Sequence, residues 1–173
     1  MKLKKRNPEI IIISGKARSG KNTVADIIEK NKNKKTVQIA YADYLKMYAK
    51  KITDEEKPRE LLQTLGVELI KTHIKEDMLI KRIIEDIQVY SFFFDLIIIT
   101  DARFENEITK IKEKFDNSIS IRVIGPVSNL TTSEKKHKTE TALDEYNNYD
   151  YTINNNGSLE DLEKKVLEVI LWK

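Results

Sequence analysis

The chain has 173 residues, 40% of them hydrophobic and 34% charged, so its length suits one domain with its own core. It has no cysteine, which excludes disulfides and thiolate metal sites, and its 31 basic and 28 acidic residues leave a charge of only +3, which gives no argument for a nucleic-acid polymer as partner. No apolar run could span a bilayer, and Ile10 to Ile13 behind the basic amino terminus is too short for a secretory signal, so a cytoplasmic location with no membrane partner is expected.

The first expected element is a buried strand, Glu9 to Ser14, with four consecutive Ile between Pro8 and Gly15. A helix follows from Gly20 to about Lys30, with Val24, Ile27 and Ile28 on one face. Thr36 to Ala40 reads as a short strand, after which Leu45, Tyr48, Ala49 and Ile52 recur at helical spacing. Pro58 opens another helix with Leu61, Leu62, Leu65 and Leu69 inward, and Glu76 to Val89 is the next. Leu96 to Thr100 is a second apolar strand, ending at Asp101; Phe104, Ile108, Ile111 and Phe115 mark the helix after it. Ser118 to Ile124 is a strand that stops at Gly125-Pro126. The polar stretch behind it has no apolar period, and its Thr131 to Thr139 region is the expected mobile loop. Tyr149 to Ile153 is the last strand, Asn156-Gly157 turns the chain, and Ser158 with Asp161 forms an N-cap pattern for a final helix carrying Leu159, Leu162, Val166, Val169 and Ile170. Strands without polar alternation, interleaved with helices, predict an α/β fold around a parallel sheet, one domain over residues 1–173.

Between the first strand and its helix stands SGKARSGKNT, Ser14 to Thr23. Gly15, Gly20 and Lys21 match the Gly, four residues, Gly, Lys of a phosphate-binding loop, in the required strand–loop–helix context. In such a loop the backbone from Gly15 through Lys16, Ala17, Ser19 and Gly20 turns N–H groups toward phosphate oxygens, the helix adds its positive end, and Lys21 reaches the outer phosphates. The alternative is an ordinary tight β–α turn. Lys16 and Arg18 are extra cations that a phosphoryl-transfer enzyme can use, or else solvated surface charge. The hydroxyl comes one position late, at Thr23, because Asn22 follows Lys21. Either Asn22 turns its amide oxygen toward a hydrated metal, or Thr23 binds phosphate and leaves the metal to water. Asp101, at the end of a strand beside the loop, suits Mg²⁺ held through water; a helix cap for the segment that follows is the other reading. Arg103 falls just beyond the strand end, close to the expected phosphates.

Thr100 to Glu107, TDARFENE, resembles the Thr-Asp-x-Arg-Phe-x-Asn-Glu stretch of bacteriophage-type deoxynucleoside monophosphate kinases. Four further segments match in order. SGKARSGKNTVADII resembles their loop and first helix, where Asp is more usual than Asn22. YADYLK, Tyr41 to Lys46, resembles Phe-Ala-Asp-x-Leu-Lys; RELLQTLGVE, Arg59 to Glu68, resembles Arg-x-Leu-Leu-Gln-x-Leu-Gly-Thr-Glu, with Val67 for Thr; and the block from His137 is similar to their carboxy-terminal His-x-Ser/Thr-Glu segment. The matches run from Ile10 to about Leu162.

The resemblance implies a three-layer P-loop kinase fold with a five-stranded parallel sheet, a helical monophosphate-binding region over about residues 41–90 and a short lid over about 126–145. It implies transfer of the γ-phosphoryl of ATP, with Mg²⁺, to a deoxynucleoside monophosphate; the partners are small nucleotides, and a homodimer is compatible with it. Lys21, Arg18, Arg103 and Asp101 are then the catalytic group, with Asp101 and Thr23 toward the metal. Arg59 and Gln63, one helical turn apart, would read the acceptor, with Asp43, Lys46 and Glu107 in the same cleft. Phe104 would pack in the core and aim Arg103. Lys136, His137, Lys138 and Glu140 would be lid residues, Arg122 an adenine-stacking residue or an ion pair, and Asn155 and Gly157 the chain beside adenine. Glu68 and Lys71 have no assigned role, and His73 is structural. An animal-type phosphomevalonate kinase remains the nearest alternative, and a non-catalytic nucleotide-binding protein a more distant one. A regulatory GTPase would need an Asn-Lys-x-Asp motif, which is absent.

Overall fold

The structure, a computed structural model, describes residues 3–55, 58–126 and 138–171, apart from the side chains of Arg59, Lys138 and Thr139. Its centre is strand β1, Glu9–Ser14. Successive side chains of a strand point to opposite faces. Ile10 and Ile12 therefore enter one hydrophobic cluster and Ile11 and Ile13 the other, all at most 1% exposed. Strand β3, Leu96–Ala102, divides the same way, with Leu96 and Ile98 on one side and Ile97 and Ile99 on the other. Two covered faces explain why neither run alternates with polar residues.

Strands β2 (Thr36–Ile39), β4 (Ser118–Ile124) and β5 (Tyr151–Asn154) complete a five-stranded sheet in the order β2-β3-β1-β4-β5, with every pairing parallel. Helices α1 (Lys21–Asn31) and α7 (Leu159–Leu171) cover the face of Ile11 and Ile13. Helices α2 (Tyr41–Ile52), α4 (Met78–Tyr90) and α5 (Glu105–Lys114) cover the other. A short α3, Arg59–Gln63, runs directly into a wider coil, Thr64–Ile74, wound with i→i+5 hydrogen bonds, and α6 is one turn, Lys138–Thr141. The chain leaves β1 for β2 and β3 on one side and later returns to β4 and β5 on the other. That reversal opens a crevice at the carboxyl end of β1, the place where open α/β sheets receive ligands. The pairing of β1 with β3 shifts register there, between Ile12 and Ser14.

Several boundaries depart from the sequence reading. Helix α2 begins at Tyr41, ahead of the apolar period that starts at Leu45, because its first N–H groups are capped from outside by Asp101. Strand β3 continues two residues past Thr100, and β5 begins at Tyr151 rather than Tyr149. Leu69 was expected inward and is 41% exposed, while Ile70 is 2% exposed. The i→i+5 winding accounts for this: the buried partner of Leu65 is five residues on, not four. Ser158 and Asp161 form the expected reciprocal cap of α7, with N–H donated each way.

Candidate active site

The loop between β1 and α1 is held by close approaches. Gly15 (φ 155°) and Gly20 (φ 96°) occupy backbone regions that L side chains rarely adopt. A Cβ at Gly15 would collide with the Val123 carbonyl and, 2.6 Å away, Ser19 Oγ; one at Gly20 would collide with Asn155 Nδ2. Arg18 also has positive φ, 63°, and its side chain is exposed. Asn155 fastens the loop from behind: its Nδ2 donates to Ser19 O at 3.0 Å and its backbone N to Ile124 O at 2.7 Å. The hydroxyl of Ser19 is buried without a hydrogen-bond partner among the described residues. Gly157 packs against Asp161, 2.8 Å from the position of an added Cβ, so it shapes the turn into α7.

Lys21 opens α1 and is 9% exposed. Its Nζ folds back to donate to Gly15 O and Lys16 O, both at 2.8 Å. Burial, and after it the charge of Arg103, pull its pKa down to about 8. Lys16 forms an exposed ion pair with Asp144 at 2.8 Å.

Asp101 accepts from two backbone N–H groups, Tyr41 at 2.8 Å on Oδ1 and Ala42 at 2.9 Å on Oδ2. It is a cap, but of the preceding helix α2, not of the following α5 as the second reading of the sequence had it. Its burial raises its pKa despite these two donors and Arg103. Helix α5 is capped by Glu107, whose Oε2 accepts from Arg103 N at 2.7 Å and Phe104 N at 3.1 Å. Burial pushes Glu107 up to about 7, in a site that also holds Lys71. Phe104 is only half-buried, and the Lys71 ammonium lies over its ring, 3.0 Å from the centroid. The ring thus lines a cavity instead of packing in the core.

Arg103 donates through Nη1 to Glu140 Oε1 at 2.8 Å. Glu140 Oε2 accepts the loop N–H of Ala17 at 2.8 Å, and its side chain is 2% exposed. Glu140 was expected in the lid; it stands instead between the glycine loop and Arg103. Of the other expected lid residues, Lys136 and His137 lie outside the described residues, and so does the Lys138 side chain. Arg122 is committed to the chain that follows α6: it donates to Leu143 O at 3.0 Å and Tyr146 O at 3.3 Å and lies over the Tyr149 ring.

Two cavities open on either side of Arg103. One, of about 430 Å³, lies over the loop between Gly15, Ser19, Arg122, Gly125 and Tyr149. The other, of about 310 Å³, lies between α2, the wide coil and α5, with Leu62, Gln63, Val67, Leu79, Phe104 and Glu107 in its wall. Ala17, Arg103 and Glu140 line both. Gln63 lines the smaller cavity. Asp43 and Lys46 do not line the cleft; they are exposed and pair with each other at 2.9 Å. Arg59 opens α3, and its side chain lies outside the described residues. Asn22 is exposed and Thr23 half-buried on the first turn of α1. Among the described residues no cluster of three or more His, Cys, Asp or Glu could hold a metal ion. Sequence reasoning left Lys71 unassigned and missed Tyr149; no local pattern marks either, since Lys71 meets the Phe104 ring and Tyr149 the Arg122 guanidinium, each from a distant segment.

The sheet order, the glycine loop at its switch point and the flanking helices define a P-loop kinase fold. Solved structures share it: a sugar kinase from Janibacter sp. HTCC2649 (13% identity, 94% of each chain covered, TM-score 0.60), a dephospho-CoA kinase from Campylobacter jejuni (15%, 95% of this chain and 97% of that one, 0.54) and a shikimate kinase from Aquifex aeolicus (14%, 94% and 96%, 0.53). Residues 31–166 match the family model for deoxynucleotide monophosphate kinase, and the chain belongs to that family. The matched span begins after the glycine loop, so the loop is identified by its own sequence and geometry. No curated protein matches the chain.

Proposed function

We propose that the protein transfers the γ-phosphoryl of ATP to a deoxynucleoside monophosphate, giving the diphosphate and ADP. The observation that carries this reading is the pair of cavities that share Arg103, Glu140 and Ala17. A kinase for two phosphorylated substrates needs two pockets joined at one cationic point. The triphosphate would lie along the loop, with the Ser19 hydroxyl and loop N–H groups donating to its oxygens and Lys21 turning from the loop carbonyls to the outer phosphates. The acceptor would enter the smaller cavity. Its walls of Leu62, Val67, Leu79 and Phe104 suit a flat base more than the short aliphatic chain of phosphomevalonate, and Gln63 and Glu107 add polar groups to read it.

The acceptor phosphate oxygen is already a nucleophile, so the chain need only align it with the γ-phosphorus and spread charge through Lys21 and Arg103. Mg²⁺ would arrive on the ATP phosphates and neutralise charge between them. The residues fit an ion held mostly by phosphate and water: there is no carboxylate cluster among the described residues, Thr23 stands on the first turn of α1, and both Asp101 oxygens already accept backbone N–H groups. Lys21→Ala and Arg103→Ala should each lower kcat by about 10²–10³, the scale of losing one preorganised transition-state donor. Circular dichroism should show the fold retained. Turnover that survives both substitutions would remove these residues from the reaction.

A further inference from the structure

We infer that Glu140 is an internal substitute for a phosphoryl group, a carboxylate seated in the anion site that the incoming phosphate must displace. The inference rests on the phosphate-binding reading of the loop, but not on which acceptor is used. Three observations converge on it. The donors that Glu140 engages belong to the proposed reaction centre: a glycine-loop N–H, Ala17, and the guanidinium of Arg103, each at 2.8 Å. Its position is the wall common to both cavities, where the transferred group would lie. Its side chain is nearly inaccessible, so its carboxylate faces protein groups rather than water.

A carboxylate and a phosphoryl group cannot both use these donors. Each is an anion accepting charge-assisted hydrogen bonds, and two of them in contact at one desolvated point repel. Exchange of one for the other is favourable only for a ligand that brings further contacts, here Lys21 and the rest of the loop. Glu140 thus sets a threshold. A single phosphate ion gains little by replacing it, whereas a polyphosphate that also draws Lys21 from the Gly15 and Lys16 carbonyls gains enough. Until then Glu140 keeps Arg103 paired, and its charge favours the protonated form of Lys21.

The test is anion binding to the intact protein by calorimetry at fixed ionic strength, with inorganic tripolyphosphate and inorganic phosphate as probes and Glu140→Gln as the variant. Glutamine keeps the size and removes the charge. The variant should bind tripolyphosphate about tenfold or more tightly than the parent, the scale of one hydrogen bond to a charged group, and should bind inorganic phosphate measurably. The gain should shrink in an Arg103→Ala background, where the shared donor is gone. Unchanged or weaker tripolyphosphate binding in Glu140→Gln would overturn the inference and leave Glu140 as a fixed brace for Arg103. If Glu140→Gln fails to fold, Glu140→Ala carries the test: it removes the carboxylate and releases both donors, so binding should still tighten, and no tightening overturns the inference. No acceptor nucleotide enters these measurements, so a failure of the proposed deoxynucleotide reaction would be read separately, from turnover.

Discussion

Lys21 is buried against its own loop carbonyls, and its pKa of about 8 makes its charge sensitive to pH in the free protein. As pH rises through about 8 the amine loses its proton and with it the attraction for phosphate. A bound polyphosphate favours the charged form and moves the titration upward. The dependence therefore belongs to kcat/KM for ATP, which reports the free enzyme, and not to kcat. We expect kcat/KM to fall toward tenfold per pH unit above about 8 while kcat stays level; a level kcat/KM up to about pH 10 would contradict the burial of this lysine. The stability effect has the opposite sense. An unfolded lysine titrates near 10.5, so between about 8 and 10.5 the unfolded state binds more protons and this residue favours the fold increasingly as pH rises. The loop formed by Gly15, Gly20 and Lys21 was legible in the sequence because its residue spacing is local. Glu140 was not, because what defines it is contact with Ala17 and Arg103, 123 and 37 residues away. Arg122 was legible as a cation near the site but not as one bound to the carbonyls of Leu143 and Tyr146.

At the scale of elements, the coil Thr64–Ile74 contributes Gly66, Val67 and Lys71 to the smaller cavity's wall, and its winding decides which residues are buried. Apolar spacing predicted an α-helical face through Leu65 and Leu69. That periodicity is blind to a change from four to five residues per hydrogen-bonded turn, because the sequence offers a leucine and an isoleucine side by side at 69 and 70. Ile70→Ala should destabilise by about 2–4 kcal/mol as a buried truncation, and Leu69→Ala by under about 1 kcal/mol as a largely exposed one, both read from urea unfolding. The reverse order would restore the α-helical register. The start of α2 was hidden for a related reason: its capping carboxylate, Asp101, lies on β3, 60 residues away. The cap of α7, by contrast, lay within four residues, Ser158 to Asp161, and was visible.

For the whole molecule, the sequence carried the architecture. Uninterrupted Ile and Leu runs in β1 and β3 imply a sheet covered on both faces, and the two hydrophobic clusters are those coverings. The order of strands places the loop at the switch point, and no described helix is long and apolar enough to cross a membrane. What no sequence pattern displayed is the division of the crevice into two cavities with Arg103 and Glu140 between them, since that wall is assembled from the glycine loop, the end of β3 and α6. The reading of function stands on that division, and its most direct test is phosphoryl transfer. The purified protein should be incubated with ATP and Mg²⁺ and, one at a time, dGMP, dTMP, dCMP, dAMP and phosphomevalonate, with ADP release and the phosphorylated product both followed. The account predicts a diphosphate product from at least one deoxynucleotide and none from phosphomevalonate. Transfer to phosphomevalonate alone, or no transfer to any deoxynucleotide, would contradict it.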